Sequence, residues 1–179
     1  MMKPLNPALD RERLEAFLRA AEKRLEGEWL LVGGALVCLW LEPRRVTEDV
    51  DMLGLRGTME ERLALMSLAE DLGLPVEAVN SAADFFVRRI EGWRDEIEVF
   101  RKTEQMTLYR PSTTLFLLLK IHRLSEADLS DCIALVKRAR ADRLRMDTGR
   151  VLAALGALPP SEDESLVKRR SQLQEELCS

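Results

Sequence analysis

Asp49 and Asp51 stand one residue apart in VGGALVCLWLEPRRVTEDVDML, residues 32–53, a stretch that opens on the pair Gly33 and Gly34. Val50, Met52 and Leu53 around the aspartates predict a strand over 48–54. Side chains at i and i+2 of a strand project to one face. The two carboxylates are then neighbours, and neighbouring carboxylates repel unless a cation sits between them. Hard oxygen ligands suit Mg²⁺ or Mn²⁺, which hold one or two carboxylates together with substrate phosphates. Gly33 and Gly34 follow the apolar run 29–32 and open the helix-like run 35–41. At such a turn backbone N–H groups and the helix dipole favour an anion, and the missing Cβ lets a phosphate come close. A metal-binding pair and a phosphate-cradling turn on adjacent strands suggest phosphoryl or nucleotidyl transfer.

Further along, Lys120 interrupts the run LFLLLKI, most of which should be buried. A lysine there needs a partner, either a triphosphate or a carboxylate such as Asp128 or Asp131. Arg123 lies one turn beyond it and can share the role. His122 is the only histidine, so no His-based metal site and no Ser-His-Asp triad is expected, and a surface position is the default. The basic run KRARADRLR, 137–145, reads first as a solvated helix face.

These residues need elements to hold them. A helix over 11–25 is expected, with Asp10 as its N-cap. A strand over 29–32 feeds the glycine turn, and the helix over 35–41 stops at Pro43. A helix over 59–72 ends at Gly73, and 76–79 reads as a short strand. DFFVRRIEG and DEIEVFRK read as two strands of a hairpin that turns near Gly92 and Trp93, with MTLYR as an edge strand. After Pro111 the pattern is helical only: STTLFLLLKIHRL, ADLSDCIALVKRARA and TGRVLAALGAL. Ser161 and Glu164 then form a capping-box signature for a last helix ending near Leu177. Asp128, third after an N-cap at Ser125, fits another capping arrangement.

The fold class expected is α/β (α+β), a mixed sheet flanked by helices and followed by a C-terminal helical bundle. Residues 1–110 form the α/β domain and 111–179 a helical domain. The 179 residues suffice for one full core, and 46% apolar with 32% charged is the balance of a soluble globular protein. No run of about 18 uncharged apolar residues appears, so no membrane helix is expected, and the first 17 residues lack the apolar region of a signal peptide. The three scattered cysteines match neither a disulfide framework nor a zinc pattern and point to the cytoplasm. A net charge of −4 argues against a dominant non-specific nucleic-acid binder, while leaving room for a local basic groove.

The order strand, Gly-Gly, helix, then R-x-T-x-D-x-D (Arg45, Thr47, Asp49, Asp51) resembles the minimal nucleotidyltransferase, or polymerase-beta-like, superfamily. Within it the chain is most similar to toxin-type nucleotidyltransferases of the AbiEii and DUF6036 kind, over residues 30 to about 135. The resemblance implies that Gly33, Gly34 and Thr47 contact a nucleoside triphosphate. It implies that Asp49 and Asp51 hold Mg²⁺ or Mn²⁺, and that a third carboxylate comes from a later strand of the sheet. Glu98 in DEIEVF matches that third position, with Ile97 and Val99 facing the core; Glu96, on the same face, is the alternative. The family more often carries aspartate there, and the serine that can follow the first glycine is missing. The resemblance also implies that Lys120 and Arg123, with Asp128 and Asp131 after them, close over the nucleotide. The activity implied is transfer of an NMP from an NTP to a tRNA end or a protein hydroxyl, with a cognate antitoxin as partner. A non-catalytic nucleotide-sensing or protein-interaction module is the alternative, and an aminoglycoside-type modifying enzyme a weaker third.

Overall fold

The computed structural model describes residues 8–179; residues 1–7, part of the stretch expected to lack a signal peptide, lie outside them. The chain divides into two compact units. One runs to Arg89 and takes in Ile97–Arg110; the other comprises Ile90–Glu96 and Pro111–Ser179.

The first unit is built on a mixed sheet. Helix α1 (Arg11–Arg24) starts where Asp10 accepts a hydrogen bond from the Arg13 N–H. Strand β1 (Gly27–Val32) leads into helix α2 (Gly33–Trp40), and strand β2 (Val50–Gly54) into helix α3 (Met59–Asp71). Strand β3 (Val79–Asn80) and helix α4 (Ala83–Arg88) follow, and strands β4 (Ile97–Lys102) and β5 (Met106–Pro111) complete the unit. The strand order is β3-β2-β1-β5-β4. β1 runs antiparallel to β2 and parallel to β5, and β2 runs parallel to β3. Trp29, Leu30, Leu31 and Val32 of β1 are all buried, the unbroken apolar run of a strand covered on both faces. α2 packs on β1 and β2. It is buried from Ala35 to Leu39, as suits a helix apolar all round. α3 begins with a reciprocal capping box, Thr58 to the Glu61 N–H and Glu61 back to the Thr58 N–H.

Three expectations are corrected here. DFFVRRIEG contains a helix, α4, rather than a strand. Phe85 and Phe86 are both exposed and only Val87 is buried, so there is no alternation of period two. Asp84 and Arg88 instead pair at i and i+4, at 2.7 Å, as helical neighbours do. The hairpin is therefore β4 with β5, closed through Thr103, whose N–H donates to the Met106 carbonyl at 2.8 Å. MTLYR lies inside the sheet between β1 and β4, with Met106 and Leu108 buried, and is not an edge. The segment 76–79 gives a 3₁₀ turn, Val76–Ala78, before the two-residue β3.

The second unit is helical: a 3₁₀ turn (Trp93–Glu96), then α5 (Thr113–Lys120), α6 (Glu126–Ala141), α7 (Thr148–Gly156) and α8 (Glu164–Cys178). Its core joins Leu117, Ile121, Cys132, Val136, Val151 and Leu173. Asp163, not Ser161, caps α8, accepting from the N–H groups of Ser165 and Leu166. The Asp163 carboxylate is the acceptor that reaches the first turn, and Ser161 instead accepts from the Asp163 N–H at 3.2 Å. Among the described residues no helix is long and apolar enough to cross a membrane.

Candidate functional site

The register places Asp51 of β2 opposite Val32, the last residue of β1, and beside Asn80 of β3. Gly33 follows Val32 directly with φ +70°, a left-handed conformation that glycine adopts without strain. A Cβ on Gly33 would run into the Asp51 carboxylate, and one on Gly34 would lie 2.6 Å from Thr47 Oγ1. The glycine pair is thus what allows the side chains of Asp51 and Thr47 to close on the start of α2. Val32 is the N-cap of α2 and offers no side-chain cap. A carboxylate beside that positive helix end is electrostatically favoured.

Thr47 is tied to Leu9 by two backbone hydrogen bonds of 2.7 and 3.0 Å. Its hydroxyl in turn orders the next residues, accepting from the Asp49 N–H at 3.3 Å and donating to the Asp49 carbonyl at 3.1 Å. Asp49 itself precedes β2, which begins at Val50, and its side chain is exposed. The expected strand over 48–54 is two residues shorter at its start. Asp49 is therefore carried by the Thr47 turn rather than by the sheet ladder, while Asp51 is carried by the ladder.

Glu98 is elsewhere. β4 is the far edge strand, three strand positions from β2, roughly 14 Å at the usual interstrand spacing. Its carboxylate pairs with Arg110 of β5 at 2.5 Å, and the Arg110 guanidinium lies 4.0 Å over the Trp40 ring at the end of α2. Val99, expected to face the core, is 57% exposed. Glu96 does not share a strand face with Glu98: it ends the 3₁₀ turn, in the helical unit. There it accepts from the Ser112 hydroxyl at 2.6 Å and from Arg150 at 3.2 Å. Among the described residues no three His, Cys, Asp or Glu side chains converge as a metal-holding group. Arg110 is the residue that reading by motif missed. The pairing of β4 with β5 would have pointed to it, had MTLYR been placed inside the sheet.

Lys120 and Arg123 belong to the helical unit, where a second charged cluster is assembled. Lys120 Nζ lies 2.6 Å from Asp128 Oδ1 and 3.4 Å from Asp131 Oδ2, and the two carboxylates are 2% and 1% exposed. Arg123 donates to both Asp128 oxygens, at 2.7 and 2.9 Å. The Ser125 N–H and hydroxyl add two more bonds to Asp128, closing the capping box of α6. Burial pushes the Asp128 carboxyl up, but the hydrogen bonds from Arg123 and Lys120, the Lys120 charge and Ser125 together hold it well below the usual carboxylate range. Lys120 thus has the carboxylate partners expected for a lysine in so apolar a helix. His122, as expected, is exposed.

Gly33, Gly34, Thr47 and Asp51 are thus gathered at one turn with Asp49 beside it, Glu98 stands at the opposite edge of the sheet, and Lys120 and Arg123 are engaged by Asp128. No protein-family model, curated protein or solved structure matches the chain, and the resemblance noted in its sequence rests on these residues alone.

Proposed function

We propose that the chain is a metal-dependent nucleotidyltransferase of the polymerase-beta-like kind, moving an NMP from an NTP to an RNA end or a protein hydroxyl. A toxin held by a cognate antitoxin is the biological setting this reading favours. The observation that carries it is the closure of Asp51 and Thr47 onto the turn at Gly33 and Gly34. Hard carboxylate oxygens next to a helix start with no side-chain cap suit a divalent cation and a phosphate chain together.

In this reading Asp49 and Asp51 hold Mg²⁺ or Mn²⁺, and the turn from Gly33 to Ala35 lets backbone N–H groups approach the triphosphate. The cation, when bound, supplies charge neutralisation on the phosphates. Thr47 keeps Asp49 at the mouth of the turn through its two hydrogen bonds. The acceptor hydroxyl forms a new bond to the α-phosphorus in line with the departing oxygen. The bond between the α-phosphorus and its bridging oxygen breaks, pyrophosphate leaves, and the hydroxyl proton passes to solvent. A reducing cytoplasm is the compartment that fits, since Cys38, Cys132 and Cys178 are free thiols.

A second reading, a non-catalytic nucleotide-binding module, is favoured by one feature: Glu98 lies three strand positions from β2, leaving two carboxylates at the turn. Label transfer from α-³²P nucleoside triphosphates to bulk tRNA or to protein, with Mg²⁺, separates the two. Transfer by the wild type and its loss in Asp49→Ala/Asp51→Ala supports the enzyme. Metal-dependent binding without transfer from any of the four nucleotides supports the module.

A further inference from the structure

Between α3 and α4 the sheet unit carries an open cleft of about 500 Å³ that the transfer reading does not use. Arg62, Ser81, Asp84, Phe85, Arg88 and Arg89 line it, three arginines against one carboxylate. Arg88 is committed to the fold: it pairs with Asp84 at 2.7 Å and donates to the Gly54 and Leu55 carbonyls. Arg62 reaches the same Asp84 only at 4.0 Å, and the Arg89 guanidinium rests 4.9 Å over the Phe85 ring. The lining is therefore net positive on a chain whose net charge is −4. Cations at the C-terminal end of a helix are ordinary, but the rings beside them are not. Phe85 and Phe86 are 61% and 58% exposed, set edge to face with centroids 5.4 Å apart, although large apolar rings normally seek burial. Met59, Leu63 and Met66, the exposed apolar residues of α3, do not line the cleft. Its chemistry is thus the Phe85 ring with guanidinium groups rather than an aliphatic groove, and the exposed Phe86 ring stands against Phe85 at its margin.

We infer that this cleft binds single-stranded nucleic acid, with a base stacked on the exposed Phe85 and Phe86 pair and the adjoining phosphates met by Arg62 and Arg89. Aromatic platforms beside a cationic groove bind single strands with little sequence preference, because every base has a π-face. A duplex keeps its bases stacked on one another and offers the rings nothing. The inference stands apart from the transfer reading, since it needs neither a divalent cation nor a nucleoside triphosphate.

The test is fluorescence anisotropy of the full chain with a labelled 12-nucleotide single-stranded RNA, its DNA counterpart and the corresponding duplex, at low and moderate salt. Binding to a single strand in preference to the duplex is expected, weakening as salt rises. Phe85→Leu/Phe86→Leu keeps apolar bulk and removes the planar rings, and should weaken binding by about tenfold or more. Arg62→Ala and Arg89→Ala should each weaken it and flatten its salt dependence. The rings are exposed, so unchanged thermal melting of the Leu variant serves as the folding control. No binding to either single strand overturns the inference. So does binding that survives Phe85→Leu/Phe86→Leu but is lost on neutralising Lys137 to Arg145, or a preference for an acidic peptide over the oligonucleotides.

Discussion

Two clusters of aspartates sit in this chain, and they are built in opposite ways. In the helical unit, Asp128 and Asp131 are buried and answered from within by Lys120, Arg123 and Ser125. In the sheet unit, Asp49 is exposed and Asp51 lies half-buried against Gly33, the first of two residues without a Cβ at the start of α2. The first arrangement spends side chains on a carboxylate; the second removes side chains from in front of one. Removing one partner from a buried cluster of this kind leaves an uncompensated charge inside the fold, which is strongly destabilising. A carboxylate packed against a glycine turn at a helix start stands where a cation and a phosphate can be met together. The same residue type thus has a structural role in one unit and a ligand-binding role, as proposed, in the other.

The comparison breaks most visibly at Lys120. Lys120→Met leaves Asp128 and Asp131 buried with less compensation, and a destabilisation of about 3–5 kcal/mol is expected from denaturant unfolding. A loss below about 1 kcal/mol would mean that the cluster is not what holds α5 to α6. Gly33→Ala has a smaller cost, about 1–2 kcal/mol from the left-handed backbone alone, and it should also weaken metal-dependent nucleotide binding because the new methyl displaces Asp51. Stability lost with nucleotide binding intact would assign the glycine to the fold only.

Acid sharpens the same contrast. Asp128 is held below its ordinary pKa in the folded state, so its contribution is fully present above the unfolded value near 4. As pH falls below about 4 the unfolded chain takes up the proton first, and that contribution is progressively lost. Thermal melts of Asp128→Asn should start lower at neutral pH and change less between pH 5 and pH 3 than those of the wild type. Parallel curves would remove Asp128 as the source.

Much of this was readable from local spacing. The Asp10 and Ser125 caps, the strand–glycine–helix turn and the alternative partners for Lys120 all depend on residues within a turn or two of one another. The position of Glu98 was not readable, because it depends on strand order. β5 enters between β1 and β4, so β4 is carried away from β2. Glu96 was lost for a local reason: the strand starts at Ile97, and the 3₁₀ turn before it aims Glu96 at Ser112 and Arg150. Aromatic and β-branched content suggested a strand at DFFVRRIEG, where the Asp84–Arg88 pair and the burial of Val87 alone belong to a helix. Glu98→Ala consequently separates motif from geometry. If Glu98 serves its pair with Arg110, transfer activity should change by less than about threefold; a loss of about a hundredfold or more would return it to the metal site. The smallest effect is expected at the thiols: a disulfide reagent should modify the exposed Cys178 in the native protein while the buried Cys38 and Cys132 stay protected.

The central claim, that Asp49 and Asp51 face a bound nucleotide while Asp128 and Asp131 do not, is tested most directly by calorimetric titration of nucleoside triphosphate with and without Mg²⁺. Binding that requires Mg²⁺, is lost in Asp49→Ala/Asp51→Ala and survives in a folded Asp131→Asn variant is the predicted result. Equal binding by wild type and Asp49→Ala/Asp51→Ala, or no binding of any of the four nucleotides, would contradict it.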